Sequence, residues 1–515
     1  MGGGILQLIS FGAQSIPLMG NPEFSYFKHV FKRHTNFATE VIKVPFDSHG
    51  TILNYDQGLT VQVKIPRNAD LVKDIFLSFK LPDIYSDDIT RFRWISNIGQ
   101  YIINNYTFTV GGQVINKLYG EWLDIWSELT IPADKRDLFN RMTGNVETFT
   151  APKMVSDILI VKNNDISNVY YPSASSGNPS IKGRRFYIPL NLWFSKHPGL
   201  ALPLVALAYH DCELTIQFNP LKDLYQLWNA DLELFLSPSN YDATPNSQLP
   251  LIGVKPVSYG FIGRYLSWDS LVHTSPILQP LAYDQSDNTM LPPDKIVANQ
   301  QYQASVLQSL TSSTPGVDIN GCLEIDYVYL DDDERKTIAE KGGNFLIEYI
   351  YHQQVTGLTP GTNVIDIYLA NPIKEICWTT RRSDTSMNNE PVNLTNVTPA
   401  DSRYPILASA KILFNGQDRI EEKEYTYFNL LEPYMHHTCG GREGIYSYSF
   451  SLNPEKIQPS GSVNTSRINK FQLYVTLNTY DTTRDKDYTY TLNVFSISQN
   501  MFRVLSGLGG LVYAI

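Results

Sequence analysis

Apolar and polar residues alternate with a period of two over much of this chain. Leu59, Val61, Val63 and Ile65 alternate with Thr60, Gln62 and Lys64, and Tyr446, Tyr448, Phe450 and Leu452 alternate with Ser447, Ser449 and Ser451. Side chains on a strand point to opposite faces in turn, so each run predicts a strand with one buried and one solvated face. Tyr446, Tyr448 and Phe450 are therefore expected to point inward. Similar runs are NYTFTV (105 to 110), CLEIDYVYL (322 to 330), FQLYVTL (471 to 477) and YTYTLNV (488 to 494). Gly111-Gly112 follows the strand ending at Val110, and Asn415-Gly416 follows AKILF. Both dipeptides suit the positive backbone angles of a two-residue hairpin. Many short antiparallel strands with few helices predict an all-β protein of β-sandwiches of the jelly-roll type.

One segment departs from this rhythm. DDDERKTIAEKGG (331 to 343) opens on carboxylates suited to a helix N-terminus and closes on Lys341 and two glycines, so it reads as a connecting helix. Strand-rich sequence lies on both sides, which predicts two sandwiches in tandem: an N-terminal arm over 1–25, a first jelly roll over 26–335 and a second over 344–515. Residues 219 to 321 are rich in Pro, Ser, Asn and Asp with only brief strand-like pieces such as ADLELFL. That region reads as a large surface insertion of the first roll, carried on the outward side.

Composition narrows the function. The chain has 515 residues, 12% of them aromatic, and a formal net charge of −10. Its four cysteines, Cys212, Cys322, Cys377 and Cys439, form no CxxC pair, so neither a zinc knuckle nor a disulfide scaffold is expected, and a reducing compartment fits. The N-terminus lacks the basic region and long apolar core of a signal peptide, no apolar run is long enough to span a membrane, and Leu6 stands where a myristoylation signal wants Ser or Thr. No GxSxG, HExxH, Walker or EF-hand pattern occurs. MHHTCGG offers His436, His437 and Cys439 as conceivable metal ligands, but the spacing is not that of an ordered site and a packed turn is the simpler reading. Asp331 to Glu334 read as a helix cap before a calcium site. The Asn-x-Ser/Thr sequons at Asn105, Asn393, Asn396 and Asn464 read as chance. No catalytic residue, cofactor or metal site is expected.

The opening stretch GNPEFSYFKHVFKRHTNFA (20 to 38) mixes aromatics with base. Phe24, Phe27 and Phe31 recur at helical spacing with Lys28, Lys32 and Arg33 between them. Such a mixture suits nucleic acid, yet residues 1 to 40 carry only three Lys/Arg against Glu23 and Glu40, and no concentrated basic patch follows. The alternative is a short amphipathic segment whose aromatic stripe docks on protein, which makes these six residues the candidates for an assembly contact.

Several ordered motifs carry a family resemblance. The opening GGGILQLISFGAQ and GNPEFSYFKHVFKRHTNFA, then GGQVINKLYGEWLDIWSEL (111 to 129), IPLNLWFSKHPGLALPLVALAYHDCELTIQF (188 to 218), DYVYLDDDER (326 to 335), NPIKEICW (371 to 378), NGQDR (415 to 419), GIYSYSFSLNPEKIQPSGSVNTSRI (444 to 468) and RVLSGLGGLVY (503 to 513) together resemble the double jelly-roll major capsid proteins of nucleocytoplasmic large DNA viruses. The resemblance implies a homotrimeric capsomer with six barrels and a pseudo-hexagonal outline. Such capsomers tile an icosahedral shell assembled in the host cytoplasm, with neighbouring capsomers, minor capsid proteins and penton proteins as partners. It also implies that the N-terminal segment lies at the capsomer base, where Phe24, Phe27 and Phe31 pack on the first barrel or a neighbour. The length of 219 to 321 is the main departure. Two other readings share the fold: a minor capsid component, and a carbohydrate-binding jelly roll with a groove of aromatics and paired carboxylates.

Overall fold

The structure, a computed structural model, describes residues 3–46, 51–54, 56–82, 92–146, 181–229, 234–236, 316–383, 385, 389–396, 405–478 and 489–513. Most of the region 219 to 321 lies outside the described residues, and with it the expected outward decoration.

The alternating runs become the strands of two sandwiches. The first is built from β1 (Phe37–Pro45), β2 (Thr60–Lys64), β3 (Leu71–Lys80), β4 (Ile103–Val110), β5 (Gln113–Tyr119), β6 (Arg185–Pro189), β7 (Cys212–Phe218) and β8 (Cys322–Leu330). Its sheets run β1-β8-β3-β6 and β2-β7-β4-β5. The second is built from β9 (Gly343–Leu358), β10 (Gly361–Asp366), β11 (Pro372–Arg382), β12 (Leu407–Phe414), β13 (Gln417–Glu424), β14 (Ile445–Ser449), β15 (Phe471–Leu477) and β16 (Tyr490–Leu505), in sheets β9-β16-β11-β14 and β10-β15-β12-β13. Counted within each sandwich, both follow the strand order 1-8-3-6 over 2-7-4-5, which is the jelly roll, and all these neighbours pair antiparallel. Short strands outside these sixteen, such as Leu202–Pro203 and Leu508–Leu511, extend the sheets.

Local chemistry explains the turns. Val110 pairs with Gln113 across Gly111 and Gly112 at φ of 57° and 81°, and Phe414 pairs with Gln417 across Asn415 and Gly416 at 51° and 83°. Left-handed angles at both central residues match the twist of the flanking strands, and Gly and Asn tolerate them. In β2, Val61 and Val63 are buried while Thr60, Gln62 and Lys64 are exposed, as the period of two predicts.

The helices are few. α1 (Gly3–Ile9) lies in the arm, α2 (Gly120–Thr130) and α3 (Ala133–Thr143) follow β5, and α4 (Asp332–Lys341) joins the rolls. α4 lies within the segment 331 to 343. Asp331 caps it by accepting from the Asp332 amide at 3.0 Å, and Arg335 ties it to the first roll through Asp70, with Nε 2.8 Å from Oδ1. Among the described residues no helix is long and apolar enough to cross a membrane.

The second roll has its own core of Ile376, Trp378, Ile412, Phe428, Tyr446, Leu473 and neighbours. The core of the first roll, by contrast, runs on into the second: Cys377, Ile445, Phe495, Ile497 and Phe502 belong to it. The β9-β16-β11-β14 sheet is therefore covered on both faces. This corrects the reading of the tyrosine strand. Tyr446 and Tyr448 are buried and Phe450 packs against the same core, as expected, but Ser447 on the other face is only 1% exposed, because that face lies against the first roll and not in water. Leu452 breaks the alternation and is exposed.

The seam between the rolls and the candidate assembly surface

The second covered face forms a seam built by α2. The helix follows β5 directly, and its sequence GEWLDIWSELT places Trp122 and Trp126 one turn apart, stacked with centroids at 5.5 Å. Trp122 packs on Phe495 of β16 at 5.6 Å, and from the next loop Trp193 packs on Phe502 at 5.6 Å. His352 of β9 stacks on Phe495 at 4.6 Å and meets Tyr119 of β5 at 4.5 Å.

Charged groups lie between these rings. Asp124 is fully buried; it accepts from Asn97 Nδ2 at 2.6 Å and Tyr101 Oη at 2.8 Å, and both Arg442 Nη groups reach it from the second roll, Nη1 at 3.0 Å. Burial pulls the Asp124 carboxyl upward, yet the Arg442 charge and the hydrogen bonds from Arg442, Tyr101 and Asn97 outweigh it and hold the group below the ordinary carboxylate value. Glu121 accepts from Thr379 Oγ1 at 2.7 Å and from Asn493 Nδ2 at 3.0 Å, and it pairs with Arg381 at 3.1 Å. Glu348 of β9 sits between Lys196 of the first roll and Lys374 of the second, and against its burial the two ammonium groups keep it below its ordinary value. Backbone bonds add to the seam: Cys439 donates its amide to Leu129 O at 2.9 Å, Asn389 Nδ2 donates to Lys222 O at 2.6 Å, and Asn116 Nδ2 donates to Glu348 O at 3.4 Å.

A buried charge left alone costs several kcal/mol, so each of these pairs defines one docking geometry and penalises others. The sequence reading missed Asp124, Arg442, Glu348 and Lys374. A signal existed, in the Asp of GEWLDIWSEL between two tryptophans and the Lys374-Glu375 pair inside the apolar run NPIKEICW.

The His436, His437 and Cys439 cluster diverges. His437 has no exposed side-chain surface; Nε2 donates to Glu375 Oε1 at 2.6 Å and Nδ1 to Glu455 Oε1 at 3.1 Å. Burial disfavours its charge, but the Glu375 charge and the bonds from both carboxylates raise its pKa to about 10, so it is an imidazolium at neutral pH. His436 turns to Leu452 O and Cys439 Sγ donates to Ile131 O. No group of metal-ligating side chains occurs among the described residues, the acidic run at α4 included.

The six arm candidates stay apart from the seam. Residues 20–36 adopt neither helix nor strand, so the helical spacing of Phe24, Phe27 and Phe31 does not become a helical stripe. Without a hydrophobic surface under it, a short segment gains too little to meet the nucleation cost of a helix. All three rings are exposed, as are Lys28, Lys32 and Arg33, and none of these cations has an ion pair among the described residues. Among the described residues their ring contacts are local, such as Phe24 on Tyr26 at 5.0 Å and His29 on Phe31 at 4.5 Å.

Known proteins resemble this chain in both rolls. Residues 25–253 match the family model of the major capsid protein N-terminus, and residues 334–510 match that of the large eukaryotic DNA virus major capsid protein. Probable capsid protein 4 of Acanthamoeba polyphaga mimivirus is 29% identical over 553 residues, covering 100% of this chain and 99% of the relative. The major capsid protein of Phaeocystis pouchetii virus is 27% identical over 608 residues, with both chains fully covered. Among solved structures, the Faustovirus major capsid protein superposes with a TM-score of 0.62 at 13% identity, over 94% of this chain and 93% of that one. The quasi-atomic model of the PBCV-1 virus capsid does so at 0.61 and 22%, over 95% and 100%. These likenesses show the double jelly-roll fold. With the two capsid family models falling in order on its two rolls, the chain belongs to the major capsid proteins of large eukaryotic DNA viruses, structural proteins of the virion capsid and not enzymes.

Proposed function

We propose that the chain assembles as a closed homotrimer of pseudo-hexagonal outline, and that such capsomers tile an icosahedral shell put together in the host cytoplasm with neighbouring capsomers, minor capsid proteins and penton proteins. The observation that carries this reading is the repeat: two rolls of one strand order, joined by a seam of stacked rings and buried ion pairs into a single rigid unit. A unit with two like barrels supplies six like positions from three copies, and a fixed angle between them is what a closed ring requires. A permanent ring of this kind buries on the order of 2,000–5,000 Å² or more per interface. The arm, exposed from residue 3 to residue 36 apart from half-buried Ser15, is free to reach partners beneath the shell. Sedimentation with electron microscopy of the purified protein tests the reading. Pseudo-hexagonal trimers are expected, and a well-folded monomer at micromolar concentration overturns it.

A further inference from the structure

A short strap closes one side of the seam. Residues 452 to 460, which follow β14, double back on themselves: the Leu452 amide donates to Ser460 O at 3.1 Å and the Asn453 amide to Ser460 Oγ at 3.0 Å. Between these ends the chain belongs to no strand, so no ladder of backbone bonds holds it. Side chains fix it instead. Glu455 accepts from His437 Nδ1 at 3.1 Å, from the Thr438 amide at 2.8 Å and from Thr438 Oγ1 at 2.5 Å. Lys374 Nζ donates to Lys456 O at 3.0 Å, and His436 Nδ1 meets Leu452 O at 3.2 Å. Ile457 lines a small cavity with Trp193, Lys196 and Leu200 of the first roll and Leu346 and Glu348 of β9, so the strap of one roll touches the other.

Behind the strap lie charges that water does not reach. The side chains of Lys374, Glu375 and His437 have no exposed surface. With Lys196, Glu348 and Glu455 they make three cations facing three carboxylates. Glu432 and His436 face this cluster from the helical residues 427–436, and the Trp126 ring faces it from α2. Glu455 is the carboxylate that the strap itself supplies, and its side chain is 22% exposed, so a proton can reach it. Burial pulls this carboxyl upward, but the bonds from His437 and Thr438 outweigh burial and hold it below its ordinary value. The grip is therefore full above the ordinary carboxylate range and is lost as pH falls below it. A neutral Glu455 leaves three cations against two carboxylates, and its charge-assisted bonds become ordinary ones.

We propose that residues 452–460 are an acid-released latch on the seam: protonation of Glu455 frees the strap from His437 and Thr438, withdraws Ile457 from the first roll and lets water into the cluster of Glu348, Lys374 and His437. The part of the seam around Asp124 and Arg442 stays closed, because Asp124 is fully buried and bonded on all sides. The latch lets acid loosen the joint between the rolls without unfolding either, by the kind of local opening that weakly tethered segments undergo. It works within one chain and is independent of the trimeric reading.

Hydrogen exchange of the full chain, read as protection relative to the intrinsic rate at each pH, tests the latch. In the unaltered protein the strap and the Thr438 amide are expected to lose about tenfold or more in protection between pH 7 and pH 4, while α2 keeps its own. Glu455→Gln has the size of the protonated acid and no charge. It is expected to show the low protection already at pH 7 and no further change at pH 4. As a second measurement, trypsin at pH 8 is expected to cut the bond between Lys456 and Ile457 about tenfold faster or more in Glu455→Gln than in the unaltered protein. Glu421→Gln, at an exposed carboxylate of β13, is expected to behave as the unaltered protein does. A strap equally protected at both pH values, or a Glu455→Gln chain cut no faster, overturns the latch. Loss of protection in α2 in step with the strap overturns it as well, since the seam then opens as a whole.

Discussion

The same sheet occurs twice in this molecule and meets two different surroundings. In the second roll, β9-β16-β11-β14 is covered on one side by its own sandwich and on the other by α2, and it buries Lys374, Glu375 and Thr379 along β11. In the first roll, β1-β8-β3-β6 has a similar polar outer face, and within one chain Lys43 and Val41 on it are exposed. Polarity alone does not distinguish a solvated face from a seam. The difference lies in whether each charge finds a partner of fixed geometry, as Glu348 finds Lys196 and Lys374, or only water.

The comparison breaks most sharply at Asp124. Replacing it with Ala leaves Arg442 buried without its main partner and is expected to cost about 3–5 kcal/mol in urea unfolding, whereas Lys43→Ala on the corresponding sheet of the first roll is expected to stay within about 0.5 kcal/mol. Equal effects at the two positions would mean that the seam contributes no more than a solvated face. Removing Arg442 as well should recover part of the loss, because no buried charge is then left alone.

The tyrosine strand separates the two faces of one sheet. Phe450 is partly buried among Phe414, Tyr448 and Phe471, so Phe450→Ala is expected to cost about 2–4 kcal/mol, toward the lower end of the range for a buried ring. Ser449 Oγ donates to Ser451 O at 2.7 Å, and Ser449→Ala is expected to cost about 1 kcal/mol. Ser447 is buried at the seam with no hydrogen-bond partner for its Oγ among the described residues, so Ser447→Ala should be nearly neutral. Calorimetry of the three variants checks the order, and a large loss at Ser447 would reveal a partner at the seam.

His437 sharpens the comparison with pH. Its pKa rises from 6.5 when unfolded to about 10 when folded, so its contribution is fully present below pH 6.5 and is lost as pH climbs toward 10. Asp124, Glu348 and Glu455 are depressed, so their contributions are present above the ordinary carboxylate range and are lost as pH falls below it. His437→Gln should remove the alkaline part of the stability profile and, with it, the share of the acidic part that Glu455 owes to His437, while the shares of Asp124 and Glu348 stay, as followed by melting temperature across pH. An unchanged alkaline limb would place that loss elsewhere.

The smallest effect on stability is expected at the arm. A chain lacking residues 1–24 loses no buried side chain of either roll, so its melting temperature and trimer should be nearly unchanged, while assembly with minor capsid partners fails. Aggregation or monomers after the truncation would make the arm part of the fold.

Periodicity, turn chemistry and caps were legible in the sequence because they are local. A period of two, Gly111-Gly112, Asn415-Gly416 and the Asp331 cap each act within a few residues, and together with the ordered motifs they determined strands, hairpins, the connecting helix and the double jelly roll. The destination of a polar face was not legible. Asp124 and Arg442 lie more than three hundred positions apart, and α2 alone does not show that its tryptophans cover the other roll. The arm erred in the opposite direction: Phe24, Phe27 and Phe31 have helical spacing, yet spacing yields a helix only where a surface receives the stripe, and among the described residues none does. Local interactions select the elements, and only the tertiary structure decides what each face meets, because burial depends on partners that chain separation hides.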